Sequence, residues 1–234
     1  MIGTPPAAAR WLLPALALAF AIDQVCTLDY ALADWLYRAE GARWSLRHDP
    51  LFANVLHAKA QTLSYVSYAL VVAAALACRL FPRFAHLRRD LAYVAMSYTV
   101  CVVSVALLKK LLPIPCPWDL GRYGGALADG GWLDWQYTAA VKGCFPSGHA
   151  TGGYAMFAWY FLARARGWRQ APALLAIAVA TGLTLGIVQQ LRGAHFLSHD
   201  IACAALCWIA AGGLAAYMLA PTARTAAPLL REIA

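Results

Sequence analysis

Charged residues are scarce in this chain, and their scarcity excludes an ordinary soluble protein. Only 13% of the 234 residues are Asp, Glu, Lys or Arg, whereas 62% are hydrophobic and the mean hydropathy is +0.58. A soluble domain typically has about 25% charged and about 45–50% apolar residues. The sequence therefore predicts an integral membrane protein with little polar sequence left for a separate soluble domain.

Acidic residues are the rarer of the two charge classes. Eleven Asp and Glu stand against 19 Lys and Arg, which gives a net charge of +8. In a membrane protein such a basic excess typically marks cytoplasmic loops and contacts with lipid headgroups. Because the chain has no nucleic-acid-binding motif and no aromatic–basic repeat, we expect no nucleic-acid partner.

Several other signals are absent as well. There is no CxxC pair and no zinc-ribbon spacing among the seven cysteines. The first apolar run is too long for a cleavable signal and shows no clear cleavage site. Without an internal repeat, a low-complexity tract or a linker, the sequence predicts one domain over residues 1–234.

The chain does have six apolar stretches whose lengths are close to the roughly 20 residues that a bilayer crossing requires. They cover 11–30, 62–81, 91–112, 150–165, 171–190 and 201–220, and the fourth is the shortest. The expected fold class is therefore all-α, a bundle of six transmembrane helices. The segment 31–61 mixes aromatic and basic residues, which suits either an amphipathic interfacial segment or an ordinary surface helix.

Basic residues near the span ends predict the orientation. With six spans, ten arginines fall on one side, which is then cytoplasmic along with both termini: Arg10, Arg79, Arg83, Arg88, Arg89, Arg164, Arg166, Arg169, Arg224 and Arg231. The third and fifth connections then face outward. The compact chain suggests a bacterial inner membrane, so that these connections would face the periplasm. Cys116 and Cys144 flank the third connection, where an oxidising compartment would allow a disulfide.

Three polar clusters lie at the outward span ends, at 109–122, 145–149 and 192–200. They supply cations suited to phosphate oxygens, namely Lys109, Lys110, Arg122 and Arg192. Ser147 and Gly148 precede an apolar helix, where backbone N–H groups favour an anion. His149 and His195 add a nucleophile and a proton donor. Phosphate-ester cleavage requires this set of charge clamps, nucleophile and acid, with no metal needed if the cations neutralise the phosphoryl oxygens.

The clusters resemble the motifs of the type 2 phosphatidic acid phosphatase superfamily, the lipid phosphate phosphatases, whose pattern is KxxxxxxRP, PSGH and SRxxxxxHxxxD. The resemblance covers roughly residues 91–220, and the membrane members of that family have six spans and an outward-facing site. Lys109 matches the first motif, but Cys116 stands in place of its arginine, and Arg122 is the candidate substitute. Ser147, Gly148 and His149 match the second motif, which implies phosphate binding by the first two and leaving-group protonation by His149.

His195 matches the histidine of the third motif, which in the family becomes a phosphohistidine. The arginine of that motif would fall at Gln189, and Arg192 is the candidate replacement. The aspartate would fall at His199, with Asp200 one position later, and either side chain would orient His195 as an acid does in a triad. The resemblance thus implies a metal-independent, cofactor-free hydrolase of a lipid phosphate or diphosphate of the polyprenyl, phosphatidate or lipid A type. Its partners would be that substrate and membrane lipids, and the oligomeric state stays open.

Four alternatives remain open from the sequence. A phosphotransferase would use the same site with a lipid or sugar acceptor in place of water. An intramembrane serine protease would use Ser147 as the nucleophile and His195 as the base. A metal site would use His195 and His199, which share a helix face as metal ligands do, although the intervening glutamate of a metalloprotease is missing. A channel or transporter would place its charges near the midplane of the membrane rather than at the outer ends.

Overall fold

Helices make up nearly all of the regular structure in the computed structural model, which describes residues 12–26, 28–129 and 143–219 and gives only the helix for 23–26. The helices are α1 Leu12–Cys26, α2 Leu28–Ala39, α3 Ala60–Leu80, α4 Arg88–Leu111, α5 Thr151–Tyr154, α6 Phe157–Ala165, α7 Ala171–Leu191 and α8 Leu197–Met218. A π-helix, Leu51–Lys59, leads into α3. Within these ranges the only β pairing is one isolated bridge between Leu120 and Leu127. The all-α prediction is confirmed for the described part of the chain.

Four continuous helices are long and apolar enough to cross a membrane. They are Leu51–Leu80, Pro82–Leu111, Ala171–Leu191 and Leu197–Met218, and Leu12–Ile22 is a shorter apolar helix. These four correspond to the second, third, fifth and sixth predicted spans. The chain is therefore a membrane protein, and the total of six spans remains a prediction.

The second span begins eleven residues earlier than predicted, at Leu51 rather than at residue 62. The π-helical turns satisfy backbone groups inside the helix, so that His57 and Lys59 continue it despite their polarity. The end of the segment 31–61, for which both an interfacial segment and a surface helix were open, is thus part of a long apolar helix. The sequence pattern missed this because polar residues at a span end look like a loop.

The fourth predicted span is two short helices, α5 and α6, that meet at Ala155 and Met156. Close packing against α7 accounts for the small residues there, since a Cβ on Gly153 would lie 2.2 Å from the backbone nitrogen of Gly182. Aromatic side chains fill the space beyond: Tyr160 stacks on Trp208 of α8, and Phe157 meets the same ring edge to face. This region is the centre of the hydrophobic core.

The connections at one end of the bundle carry the arginines. Arg166 forms an ion pair with Asp90, and its Nε donates to Oδ2 at 2.9 Å. Arg88 donates to the carbonyl of Cys78 at 2.6 Å. The connectivity of α3, α4, α6 and α7 places these arginines at the end of the bundle opposite the three polar clusters. Arg10, Arg224 and Arg231 lie outside the described residues.

At the other end, α2 holds the start of α8 in place. The carboxylate of Asp29 accepts from the backbone N–H of Ser198 at 2.8 Å and also from the Ser198 hydroxyl. A carboxylate at a helix N-terminus satisfies backbone donors that would otherwise lack partners. The first turn of α8, which carries His199 and Asp200, is therefore anchored from outside its own helix.

Candidate active site

A cavity of about 670 Å³ lies at the end of the bundle opposite the arginines. Four of the predicted site residues line it, one or two from each cluster: Lys109, Gly148, His149 and His195. Arg122, Ser147, Arg192, His199 and Asp200 do not line it. The structure therefore brings the three clusters to one site, but only part of the predicted set faces the open space.

A disulfide and a short loop hold the clusters together. Cys116 and Cys144 form the disulfide that the sequence allowed, with their Cα atoms 5.3 Å apart. The backbone N–H of Cys144 donates to Ile114 at 2.7 Å, and that of Trp118 donates to Gly193 at 3.0 Å. The loop after α4 is thus fastened to the loops that carry His149 and His195, and these fastenings fix the distances across the cavity.

Lys109, near the end of α4, crosses to the second cluster. Its Nζ donates to the carbonyl of Cys144 at 3.1 Å. A Cβ on Gly148 would lie 3.2 Å from Lys109 Cε, so that glycine lets the side chain pass close to the backbone. The ammonium is therefore held beside the turn that begins the fourth apolar segment.

His195 is buried, and its ring pairs with that of His199 one helical turn later. The two Nδ1 atoms are 3.3 Å apart, so one carries the hydrogen and the other accepts it. His199 is fully buried, and its carbonyl accepts from the backbone N–H of Ser147 at 3.1 Å. Nδ1 of His195 is engaged in this pair, and both rings also interact with the backbone of Cys144.

Asp200 faces away from His195. It accepts from Gln190 Nε2 at 2.5 Å, interacts with the Ser147 side chain, and packs where a Cβ on Gly186 would meet its carboxylate at 2.6 Å. Of the two predicted orienting residues, His199 is therefore the one in contact with His195. Ser147 is buried behind the cavity, with its N–H committed to His199.

His149 contacts a residue that the sequence analysis did not single out. Its ring stacks on that of His57, with the centroids 4.1 Å apart and the planes 18° from parallel. Its Nε2 lies 3.3 Å from the backbone carbonyl of His57. His57 belongs to the π-helix that leads into α3 and also lines the cavity.

Burial controls the protonation of His149 and His195, the two predicted catalytic histidines that line the cavity. It lowers the pKa of His149 to about 4, and the neighbouring His57 adds a smaller contribution in the same direction. For His195, burial and next the Lys109 ammonium hold the pKa well below its ordinary value. Both imidazoles are therefore neutral at pH 7 when the cavity holds no anion.

The two arginines proposed as substitutes have partners elsewhere. Arg122 forms an ion pair with Asp34 of α2, with Nε to Oδ1 at 2.7 Å. Arg192 is buried and donates to Gln189 Oε1 at 2.9 Å and to the carbonyl of Arg47 at 3.2 Å. Gln189, where the third motif has arginine, lines the cavity itself. Among the described residues that line the cavity, Lys109 is the only lysine or arginine.

The cavity continues away from the histidines between α3 and α4. Its walls there are mainly aromatic and aliphatic: Tyr65, Tyr68, Tyr98, Val102, Val105 and Ala106. Both helices are parts of segments that are long and apolar enough to cross a membrane. One space thus joins a polar end with a lysine and histidines to an apolar end between these two helices.

One trio of potential metal ligands occurs among the described residues, Cys116, Asp119 and Cys144. Two of its three members are the disulfide cysteines, whose sulfurs are bonded to each other. Thiolates rather than disulfide sulfurs bind metals, so this trio does not fit a metal site as it stands. The Nδ1 atoms of His195 and His199 lie 3.3 Å apart, but among the described residues no third histidine, cysteine or carboxylate joins them as a set of ligands.

A family model for the PAP2 superfamily matches residues 90–222, more than half of the chain. The protein therefore belongs to the type 2 phosphatidic acid phosphatase superfamily, whose members are phosphatases of phosphate esters. No curated protein and no solved structure gives a significant match. The matched region contains all nine predicted site residues, but His57 lies outside it.

Proposed function

We propose that this protein is a membrane-embedded phosphatase that hydrolyses a lipid phosphate or diphosphate through a phosphohistidine intermediate. The observation that carries the proposal is the single cavity in which Lys109, His149 and His195 adjoin an apolar space between two membrane helices. A phosphate group fits the polar end, and the hydrocarbon chain of its ester fits the apolar end. A soluble phosphate ester would have no use for the second half of this space.

His195 is the proposed nucleophile. If its Nδ1–H donates to Nδ1 of His199, the lone pair of Nε2 is free to attack phosphorus. The N–P bond then forms as the bond to the leaving oxygen breaks. His199 thereby performs the orienting role that an aspartate performs in the family pattern, and its carbonyl also fixes the backbone of Ser147.

His149 is the proposed acid. It gives a proton to the leaving oxygen in the first step. In the second step it takes a proton from the water that attacks phosphorus, and the N–P bond breaks. The products are inorganic phosphate, the dephosphorylated lipid and a restored His195. Positioned acids of this kind contribute about 10²–10⁴-fold to such reactions.

Charge neutralisation rests on Lys109 and on the imidazole of His149, which becomes protonated when the anion binds. The phosphate dianion would raise the pKa of His149 from its low resting value, because an opposite charge favours the protonated form. Arg192 supports this indirectly by fixing the amide of Gln189, whose other end faces the cavity region. We propose that these groups suffice without a metal, and that phosphate release survives chelation of divalent ions.

The site would face the periplasm of a bacterial inner membrane, with both termini in the cytoplasm. The arginine-rich connections lie at the opposite end of the bundle, and such residues are enriched on the cytoplasmic side. The disulfide between Cys116 and Cys144 suits an oxidising compartment, which is the periplasmic side.

Phosphate release by purified protein from a panel of lipid phosphates and diphosphates tests the proposal. Wild type should release phosphate, and His195→Ala and His149→Ala should reduce release by at least about 10²-fold. His86→Ala, which changes an exposed histidine at the opposite end, is the control and should match wild type. Equal release by all four proteins would overturn the assignment.

Radiolabelled phosphate separates hydrolysis from transfer in the same assay. Label recovered as free phosphate supports the hydrolase, whereas label recovered on a second lipid or a sugar indicates a phosphotransferase. The serine protease alternative is disfavoured by the buried position of Ser147, which does not line the cavity and is not paired with His195.

A further inference from the structure

His57 is a histidine of the site that belongs to none of the three clusters. It comes from the π-helix Leu51–Lys59, outside the region matched by the family model. It nevertheless lines the cavity, stacks on His149 and interacts with the side chain of Gln189. π-Helical turns are rare and often occur at functional sites.

The carbonyl of His57 determines which nitrogen of His149 can move a proton. It lies 3.3 Å from Nε2 of His149 and, as a carbonyl, can only accept a hydrogen bond. Nε2 therefore carries hydrogen whether the ring is neutral or protonated. The proton that is gained and lost is then the one on Nδ1.

The ring of His57 determines the plane of His149. Stacking at 4.1 Å with planes 18° apart leaves the His149 ring little freedom to tilt about its side-chain torsions. An aromatic contact of this kind is worth about 0.5–1.5 kcal/mol, which corresponds to about 2–12-fold in a population or a rate. The Phe side chain offers a similar flat surface without nitrogen atoms.

We propose that His57 is a positioning residue for His149, holding its imidazole by carbonyl and ring so that Nδ1 delivers the proton to the leaving oxygen. This inference rests on the proposed function, because it concerns the acid of that reaction. It adds a residue from the second membrane helix to a site whose other members come from the later part of the chain. The role is positional because His57 acts through His149.

The test uses two substrates that differ in their need for an acid. The leaving group of a lipid phosphate is an alkoxide unless its oxygen is protonated. The leaving group of p-nitrophenyl phosphate is a stable phenolate. We expect His57→Ala to lower kcat for the lipid phosphate about 3–10-fold and for p-nitrophenyl phosphate less than about 2-fold. His57→Phe, which keeps the stacked ring, should restore most of the lipid activity, and every variant keeps the main-chain carbonyl.

Asn54→Ala and Asn54→Phe are matched controls, because Asn54 is exposed on the same π-helix and does not line the cavity. Both should behave as wild type. An equal loss on both substrates in His57→Ala, no loss at all, or a Phe variant as poor as Ala would overturn the role of His57 while leaving the phosphatase standing. A wild-type protein that releases phosphate from neither substrate would instead remove the proposed function and, with it, this inference.

Discussion

The helix Leu51–Leu80 and the helix Leu197–Met218 form opposite parts of the site but are packed very differently. On α3 only Cys78 is buried, and large apolar side chains such as Leu63 and Leu70 are exposed. On α8 nine residues are buried, including His199 and Asp200. The first helix is therefore mainly in contact with whatever surrounds the protein, and the second is mainly in contact with the protein.

This difference separates two tasks. The nucleophile and its orienting partner lie on or beside α8, where close packing and the contact of Asp29 with Ser198 hold them in place. His57 and one wall of the apolar space, with Tyr65 and Tyr68, lie on the peripheral helix, and α4 supplies the opposite wall. We infer that rates depend on the packed helix and lipid recognition on the peripheral one.

Lys109 offers the largest expected effect on the packed side. Lys109→Ala removes the one lysine or arginine among the described residues that line the cavity, and loss of a fixed charge-stabilising donor typically costs about 10²–10³-fold in kcat. Lys110→Ala, at the exposed neighbouring position, changes the same charge outside the cavity and should stay within about 2-fold of wild type. Steady-state phosphate release measures both, and equal losses in the two variants would contradict the assignment of Lys109.

Gly153 tests the packing itself. A side chain at this position would collide with the backbone of Gly182, and overpacking of a core typically costs about 1–3 kcal/mol. Gly153→Ala should therefore lower the thermal unfolding midpoint in detergent and weaken activity. Ala73→Val adds bulk to the exposed face of α3 and should leave the midpoint unchanged. An unchanged unfolding midpoint in Gly153→Ala would show that the core is less tightly packed than the contact distance indicates.

Four residues that line the cavity could be predicted from the sequence because each lies in a short local pattern. Lys109, Gly148, His149 and His195 are all read from clusters of a few residues, and all four line the cavity. The disulfide was also foreseeable, since its cysteines flank one polar connection. Local patterns report which residue types are present and at which end of the helix bundle they fall.

Pairings across long sequence separations could not be predicted in this way. Arg122 had the right charge and a plausible position, but Asp34, 88 residues earlier, is its partner. His57 was missed for the same reason, because its contact with His149 spans 92 residues and depends on π-helical turns that no periodicity announces. A histidine at the start of an apolar run is the one signal that could have raised it as a candidate.

Val102 tests the apolar space itself, because it lies on the α4 wall of the cavity, across from the peripheral helix. Val102→Trp would fill part of the apolar wall, and we expect KM for a long-chain lipid phosphate to rise about tenfold, or about 1.4 kcal/mol. KM for a soluble short-chain phosphate should be nearly unchanged. Val103→Trp places the same side chain on the next residue, which is exposed and does not line the cavity, and should leave both substrates unchanged. Loss of both substrates in Val102→Trp would show a general disturbance rather than a lipid path.

The smallest expected effect is a pH dependence that reports on both regions at once. Burial lowers the pKa of His149 to about 4 and that of His195 well below its ordinary value, so both are neutral in the resting site at pH 7. Falling pH then increases the fraction of protonated acid while the nucleophile stays neutral. We expect kcat/KM to rise by at most about tenfold per unit as pH falls from about 7 toward about 5.

In His149→Ala the residual activity should lose this rise, because the group that gains the proton is gone. The value of kcat should depend on pH less than kcat/KM does, since a bound phosphate dianion raises the pKa of His149 within the complex. An activity that increases toward alkaline pH would contradict the assignment of His149 as the acid. It would point instead to a group that must lose a proton, and would shift the chemistry away from the stacked pair of His57 and His149.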